Sequence, residues 1–197
     1  MFEYFKSMRW IALWLGILCI SVFVFQNLFP WLTQELVLTK DFVNKPWQIV
    51  TNIFAHANVM HLIYNLFALL LFGLILENII GSRKFLILFI VSIVTTDIAS
   101  LIFYRATLGI SGIVYSILGA VAVLRPRMIV FIFGVPVPMF IAVFLWTLLD
   151  IAGFFYSSGI ANATHLAGLI TGIVFGLIMR KRESVKENEV FHEPLGL

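Results

Sequence analysis

The stretch Thr107–Ser116 reads TLGISGIVYS, an apolar run broken by a serine with one glycine two residues before it and another directly after. The run continues without a charge to Leu124, so Ser111 lies near the start of a helix that offers water almost nothing. A hydroxyl there needs a hydrogen-bond partner or a task, because polar groups in apolar helices are costly. The rest of the chain decides which.

Of 197 residues, 61% are hydrophobic and 12% charged, and the mean hydropathy is +1.05. A soluble domain has about 45–50% apolar residues, so the expected fold is an all-α integral membrane protein. The formal charge of +3 is small and scattered, which argues against a nucleic-acid partner. Cys19 is the single cysteine, leaving neither a disulfide framework nor a cysteine-ligated zinc site. The first apolar run, WIALWLGILCISVFVFQNLF, has no small-residue cleavage site after it and reads as a retained helix, with mature numbering beginning at Met1.

Breaks at charged, Pro and Gly residues divide the chain into six expected spans: 10–29, 61–80, 85–104, 109–124, 138–155 and 163–179. Six crossings put both termini on one side. Lys6, Arg9, Arg83, Lys84, Arg125, Arg127, Arg180, Lys181, Arg182 and Lys186 fall on that side, ten of the thirteen basic residues, against Lys40, Lys45 and Arg105 on the other. Positive charge stays inside, so both termini are expected in the cytoplasm. The loop 30–60 is then external, and its Trp, Phe and Leu content suggests short helices in the membrane interface. The segment 128–137 is assigned to the inner interface. Residues 1–182 form one expected membrane domain, and 183–197 a polar, disordered cytoplasmic tail.

The polar residues inside spans concentrate at one depth. Ser111 is the third residue of span 4, His165 the third of span 6, and His61 and Asn65 open span 2, all on the external side by this topology. Span 4 has sixteen residues, 109–124, or roughly 24 Å at ~1.5 Å per residue against a hydrocarbon core of ~30 Å. Its start therefore lies about 6 Å below the outer boundary, which requires a water-filled recess between helices. Gly168, Gly172 and Gly176 recur every fourth residue near His165, and Gly112 and Gly119 give span 4 a matching smooth stripe. Such stripes let helices approach closely and would bring Ser111 Oγ within reach of His165. Serine beside a neutral imidazole is the minimum unit of nucleophilic catalysis. Asn65, His61 and the Ser111 backbone N–H could stabilise an oxyanion, and Tyr115, four residues after Ser111, could orient the imidazole by packing against it. Asp97 and Asp150 lie deeper, inside spans 3 and 5, so no carboxylate joins the site in this reading and a Ser–His dyad has to suffice.

HANVMHLIYN, GISG followed by Tyr115, and HLAGLITG, in that order, resemble the three signature segments of the rhomboid intramembrane serine proteases over about residues 46–180. The resemblance implies a six-helix rhomboid-like bundle in a prokaryotic plasma membrane, its active site open to the external side. It implies Ser111 as nucleophile, His165 as general base, and Asn65 with His61 as the oxyanion pair. Tyr115 matches the tyrosine packed on the histidine, Gly168 and Gly172 the glycines seating span 6 on span 4, Glu77 an acidic residue at the inner end of span 2, and His56 a structural loop histidine. Gly109 and Gly112 flank the nucleophile in the matched GISG. Where relatives often carry Trp-Arg, this chain has Trp47-Gln48, which bears on loop packing more than on chemistry. Substrates would be single-span membrane proteins, with membrane lipid as the surrounding partner and no metal or other cofactor.

Three other readings remain. His56, His61 and His165 could together hold a metal, although Ser, Gly and Asn occupy the neighbouring positions. A catalytically silent relative could bind membrane clients, but such relatives typically lack Ser or His. A solute carrier would need a polar path across the membrane, whereas these groups cluster on one side. Asp97 and Asp150, without a visible basic partner, are expected to hydrogen-bond locally as structural residues.

Overall fold

A computed structural model describes residues 9–132, 134–155 and 159–191, with side chains as far as residue 181. Lys6 and the tail from His192 onward lie outside the described residues.

Helix α1, Ile11–Leu28, has no charged residue and begins against a single acidic side chain. Glu77, fully buried, accepts hydrogen bonds from the Ile11 and Ala12 backbone N–H groups at 3.1 Å each and from Ser82 Oγ at 2.6 Å. Two donors that a helix start leaves unpaired are thereby satisfied. The connection that follows carries short helices α2, Leu32–Leu36, and α3, Gln48–Thr51, with 3₁₀ turns at Lys40–Val43 and Asn52–Phe54. The short helices expected there are present. Between α2 and α3, strand β1, Leu38–Thr39, pairs antiparallel with β2, Ala106–Thr107. Gln48, at the position of the absent arginine, is buried, and its Oε1 accepts from Thr39 N at 3.2 Å and Thr39 Oγ1 at 3.1 Å. An uncharged side chain thus fastens α3 to β1.

Helix α4 runs Val59–Ile80 with a π-helical turn at Leu69–Gly73, and α5 spans Ser82–Phe103. Helix α6, Ser111–Leu124, is buried on nearly all its faces, as expected for a helix at the centre of a bundle. A hairpin follows, β3 Ile129–Ile132 against β4 Val135–Pro138, closed at Gly134. The expected all-α chain therefore contains two short strand pairs. In the hairpin Val130 is buried while Ile129 and Phe131 are exposed, the two-residue alternation of a strand with one covered face. Helix α7, Met139–Phe155, leads to α8, Asn162–Phe191, which passes the expected end at residue 179 and carries helix through much of the tail. Its Glu and Lys residues are good helix formers.

Four of these helices are long and apolar enough to cross a membrane: Ile11–Leu28, Val59–Ile80, Ser82–Phe103 and Asn162–Lys181. Ser111–Leu124 and Met139–Phe155 are apolar but shorter. Helices α6 and α8 make the most extensive contact. A Cβ at Gly168 would collide with the Gly112 carbonyl oxygen, and one at Gly172 with that of Ser116. The backbones touch where side chains would otherwise keep them apart.

Candidate active site

Close packing of α6 and α8 sets the first contact. Ser111 is the first residue of α6, and its Oγ lies 2.9 Å from His165 Nε2 in the first turn of α8. Tyr115, one turn along α6, stacks its ring on the imidazole with centroids 4.4 Å apart and planes 10° from parallel. The start of α8 is held by α5, since Tyr104 Oη accepts from the Ala163 N–H at 2.8 Å and Ser100 Oγ meets Thr164 Oγ1 at 2.8 Å.

The other imidazole nitrogen is also occupied. His165 Nδ1 lies 2.9 Å from Asp150 Oδ1 on α7. This corrects the expectation that Asp150 is too deep to reach the site. Asp150 lies five residues inside the end of α7 at Phe155, and His165 three residues inside the start of α8 at Asn162. At ~1.5 Å per residue their depths differ by only about 3 Å. Asp97 does bond locally: Asn52 Nδ2 donates to its two oxygens at 3.4 and 3.3 Å, and Asn52 O accepts from the Gly109 N–H at 2.9 Å, tying the loop before Ser111 to α5.

His61 and Asn65 approach from α4. Gly109 has φ +111°, a left-handed conformation natural to glycine, and a Cβ there would lie 2.8 Å from His61 Nε2 and 3.7 Å from Asn65 Nδ2. Glycine is required twice over, by its dihedral and by the ring beside it. The Ala57 N–H points at His61 Nδ1 at 3.5 Å, which favours the tautomer with its proton on Nε2. Asn65 is buried, and its Nδ2 has no hydrogen-bond partner among the described residues. An unpaired buried amide is costly and stays available for an incoming acceptor. Ile110 places no side-chain cap on α6, so the first N–H groups of that helix are uncapped by side chains.

These groups share a cleft of about 1290 Å³ at one end of the bundle, lined by His61, Asn65, Ser111, Tyr115 and His165 and edged by Trp146 and Phe154. The sequence-predicted residues Ser111, His165, Tyr115, His61 and Asn65 thus come together, and Gly109, Gly112, Gly168 and Gly172 lie in the close contacts that bring them there. Asp150 and Tyr104 were missed. For Asp150 the available signal was a depth close to that of His165, visible when residues are counted from helix ends, which does not by itself name the partner; Tyr104 carried none.

His56 stands behind the site, its ring edge-on to His61 at 5.0 Å. Gln26 of α1 clamps it through the backbone, accepting from His56 N at 3.0 Å and donating to His56 O at 3.3 Å. Burial, reinforced by the neighbouring His61 and opposed by the Phe54 carbonyl, pushes the His56 imidazole from 6.5 down to about 4. A lowered folded-state value means that the unfolded chain takes up the proton first as pH falls. The contribution to stability is therefore complete above about pH 6.5 and lost progressively toward about pH 4, on the order of 3 kcal/mol in all. Thermal unfolding in detergent should show the midpoint falling over this window, and His56→Gln should flatten the slope. Equal slopes in both proteins would contradict this role.

A rhomboid domain model matches residues 43–182. The chain is 29% identical over 136 residues to the rhomboid protease GlpG of Haemophilus influenzae, covering 68% of this chain and 70% of that one. It is 35% identical over 133 residues to the rhomboid protease GlpG of Yersinia pseudotuberculosis, covering 65% and 46%. To the mitochondrial rhomboid protein 1 of Saccharomyces cerevisiae it is 26% identical over 198 residues, covering 91% and 56%. The chain spans about half the length of these last two relatives. Since the matched domain takes in most of the chain and every residue that meets in the cleft, this integral membrane protein belongs to the rhomboid family.

Proposed function

We propose that the protein is an intramembrane serine endopeptidase that cuts single-span membrane proteins in or beside their membrane segment. The observation that carries this reading is the 2.9 Å contact between Ser111 Oγ and His165 Nε2 on the wall of a cleft within an apolar bundle. As Ser111 Oγ bonds to the scissile carbonyl carbon, its proton passes to His165 Nε2 and the carbonyl electron pair moves onto oxygen. The oxyanion is met by Asn65 Nδ2, His61 Nε2–H and the Ser111 backbone N–H. Collapse breaks the C–N bond, and the amine leaves with the proton from Nε2. Water then attacks the acyl-serine, giving a proton to His165 Nε2, and collapse breaks the bond to Ser111 Oγ, which takes that proton back from His165 as the acid leaves. A regular helix hides its carbonyls, so a substrate must unwind locally in the cleft, and a small residue at the cut suits that approach.

In this reading residues 1–182 are one domain of six spans, with both termini and the 183–197 tail in the cytoplasm of a prokaryotic cell. The 30–60 connection and the cleft face the external side of the plasma membrane. The two shorter helices suit a site sunk below the outer surface. No metal or other cofactor takes part. Purified protein in liposomes with a single-span substrate should release two fragments joined originally in or near the span, as read by mass spectrometry. Intact substrate across a panel with small residues at the outer end of the span, with substrate still retained by the protein, would instead favour a silent client-binding relative.

Asn65→Ala tests the oxyanion assignment. It should lower kcat about 10²- to 10³-fold with a smaller change in KM, as for loss of one oxyanion donor. Activity within about threefold of wild type would remove Asn65 from that role.

A further inference from the structure

Asp150 has no part in the dyad chemistry, yet its placement is hard to explain as packing. Asp150 is 4% exposed on a helix that is otherwise almost entirely apolar. Oδ1 meets His165 Nδ1 at 2.9 Å, and Oδ2 has no hydrogen-bond partner among the described residues. An acid in such a helix is costly unless a specific partner repays the desolvation. His165 is its ion-pairing neighbour among the described residues, and the Tyr115 side chain lies beside the same carboxylate.

We infer that Asp150 is a positioning residue for His165, completing a Ser111–His165–Asp150 triad; this rests on the reading of Ser111 and His165 as nucleophile and base. The stack on Tyr115 fixes the plane of the imidazole. It does not distinguish the two edges of the ring, because a half-turn about the Cβ–Cγ bond keeps the ring plane and the stack while exchanging Nδ1 with a carbon. Nor does it select a tautomer. A carboxylate can only accept, so the 2.9 Å contact requires the proton on Nδ1. Nε2 then carries the lone pair, aimed at Ser111 Oγ. In the other tautomer Nε2–H would donate to the serine and could not take its proton. When that proton does move, the imidazolium forms beside the buried carboxylate, which stabilises it without becoming protonated.

The test uses the full chain in liposomes. Asp150→Asn keeps the shape but offers an amide N–H to Nδ1, favouring the wrong tautomer. It should lower kcat at neutral pH by about 10²-fold or more with little change in KM. The acid limb of the kcat/KM profile should also move to lower pH, since the imidazolium loses its counter-charge. The other titratable groups near His165 are His61 on α4 and Tyr115 on α6, with Arg105 at the rim of the cleft, and all are unchanged in the variant. A readout that needs no variant is the ¹⁵N spectrum of histidine-labelled wild type, in which His165 should carry its proton on Nδ1.

Activity of Asp150→Asn within about threefold of wild type, with Ser111→Ala and His165→Ala inactive, would overturn the inference and leave the dyad standing. A loss with an unmoved acid limb and an unchanged His165 tautomer would assign Asp150 to packing alone. The same loss in Tyr115→Phe would show that the carboxylate acts through the phenol. Full activity in Ser111→Ala would remove the reading on which the inference rests.

Discussion

Ser111→Ala and His165→Ala are each expected to lower cleavage of a single-span substrate by about 10³-fold or more, to the background of the assay, and the double variant to be no worse than either. The reason is the shared step. In the proposed mechanism Ser111 Oγ supplies the bonding electron pair and His165 Nε2, 2.9 Å away, removes the proton that would otherwise remain on it. Neither group substitutes for the other. Alanine at 111 removes only a hydroxyl from the start of α6, so thermal unfolding should barely move. Fragment yield from liposomes is the measurement; a single variant within about tenfold of wild type would contradict the assignment of that residue.

The second large effect is structural and reaches the site through α6 and α8. In Gly172→Leu the new Cβ would occupy the place of the Ser116 carbonyl oxygen and lie 2.9 Å from Ser116 Cα. Backbone cannot yield as a flexible side chain does, so the helices must separate. The opposing Gly119 has the same constraint, since a Cβ there would lie 2.5 Å from Leu169 O. Overpacking of this kind costs about 3–5 kcal/mol at the upper end of single substitutions. A separation of even about 1 Å would take the Ser111–His165 contact out of hydrogen-bond range. We expect Gly172→Leu to lose both thermal stability and cleavage, and Ile170→Ala, an outward-facing change two residues away on α8, to lose neither. Retention of wild-type melting and activity by Gly172→Leu would contradict the close-packing account.

Much of this arrangement was legible in residue types and their spacing. Apolar runs placed five of the main helices and the start of α8 to within a few residues, because Pro, Gly and charge interrupt them where the chain turns, whereas α8 continues twelve residues past its expected end at 179. The ridge of Gly168, Gly172 and Gly176 pointed to the α6–α8 contact, and with it to Ser111 beside His165. Three things were not legible in that way. The Asp150 contact depends on how α7 rotates against α8, and a single acid in an apolar helix carries no mark of its partner. Tyr104 acts from the very end of α5, where a tyrosine reads as an ordinary boundary residue. The 129–138 hairpin is apolar on both faces of the pattern, so strand and interfacial segment look alike until the pairing of Ile129 with Pro138 is seen.

Exposing the folded, detergent-solubilised protein to a fluorophosphonate probe and locating the adduct by mass spectrometry decides whether Ser111 is an activated nucleophile. One adduct is expected, on Ser111, absent in Ser111→Ala and strongly reduced in His165→Ala. No adduct on folded wild-type protein, or an adduct on another serine that survives in Ser111→Ala, would contradict it.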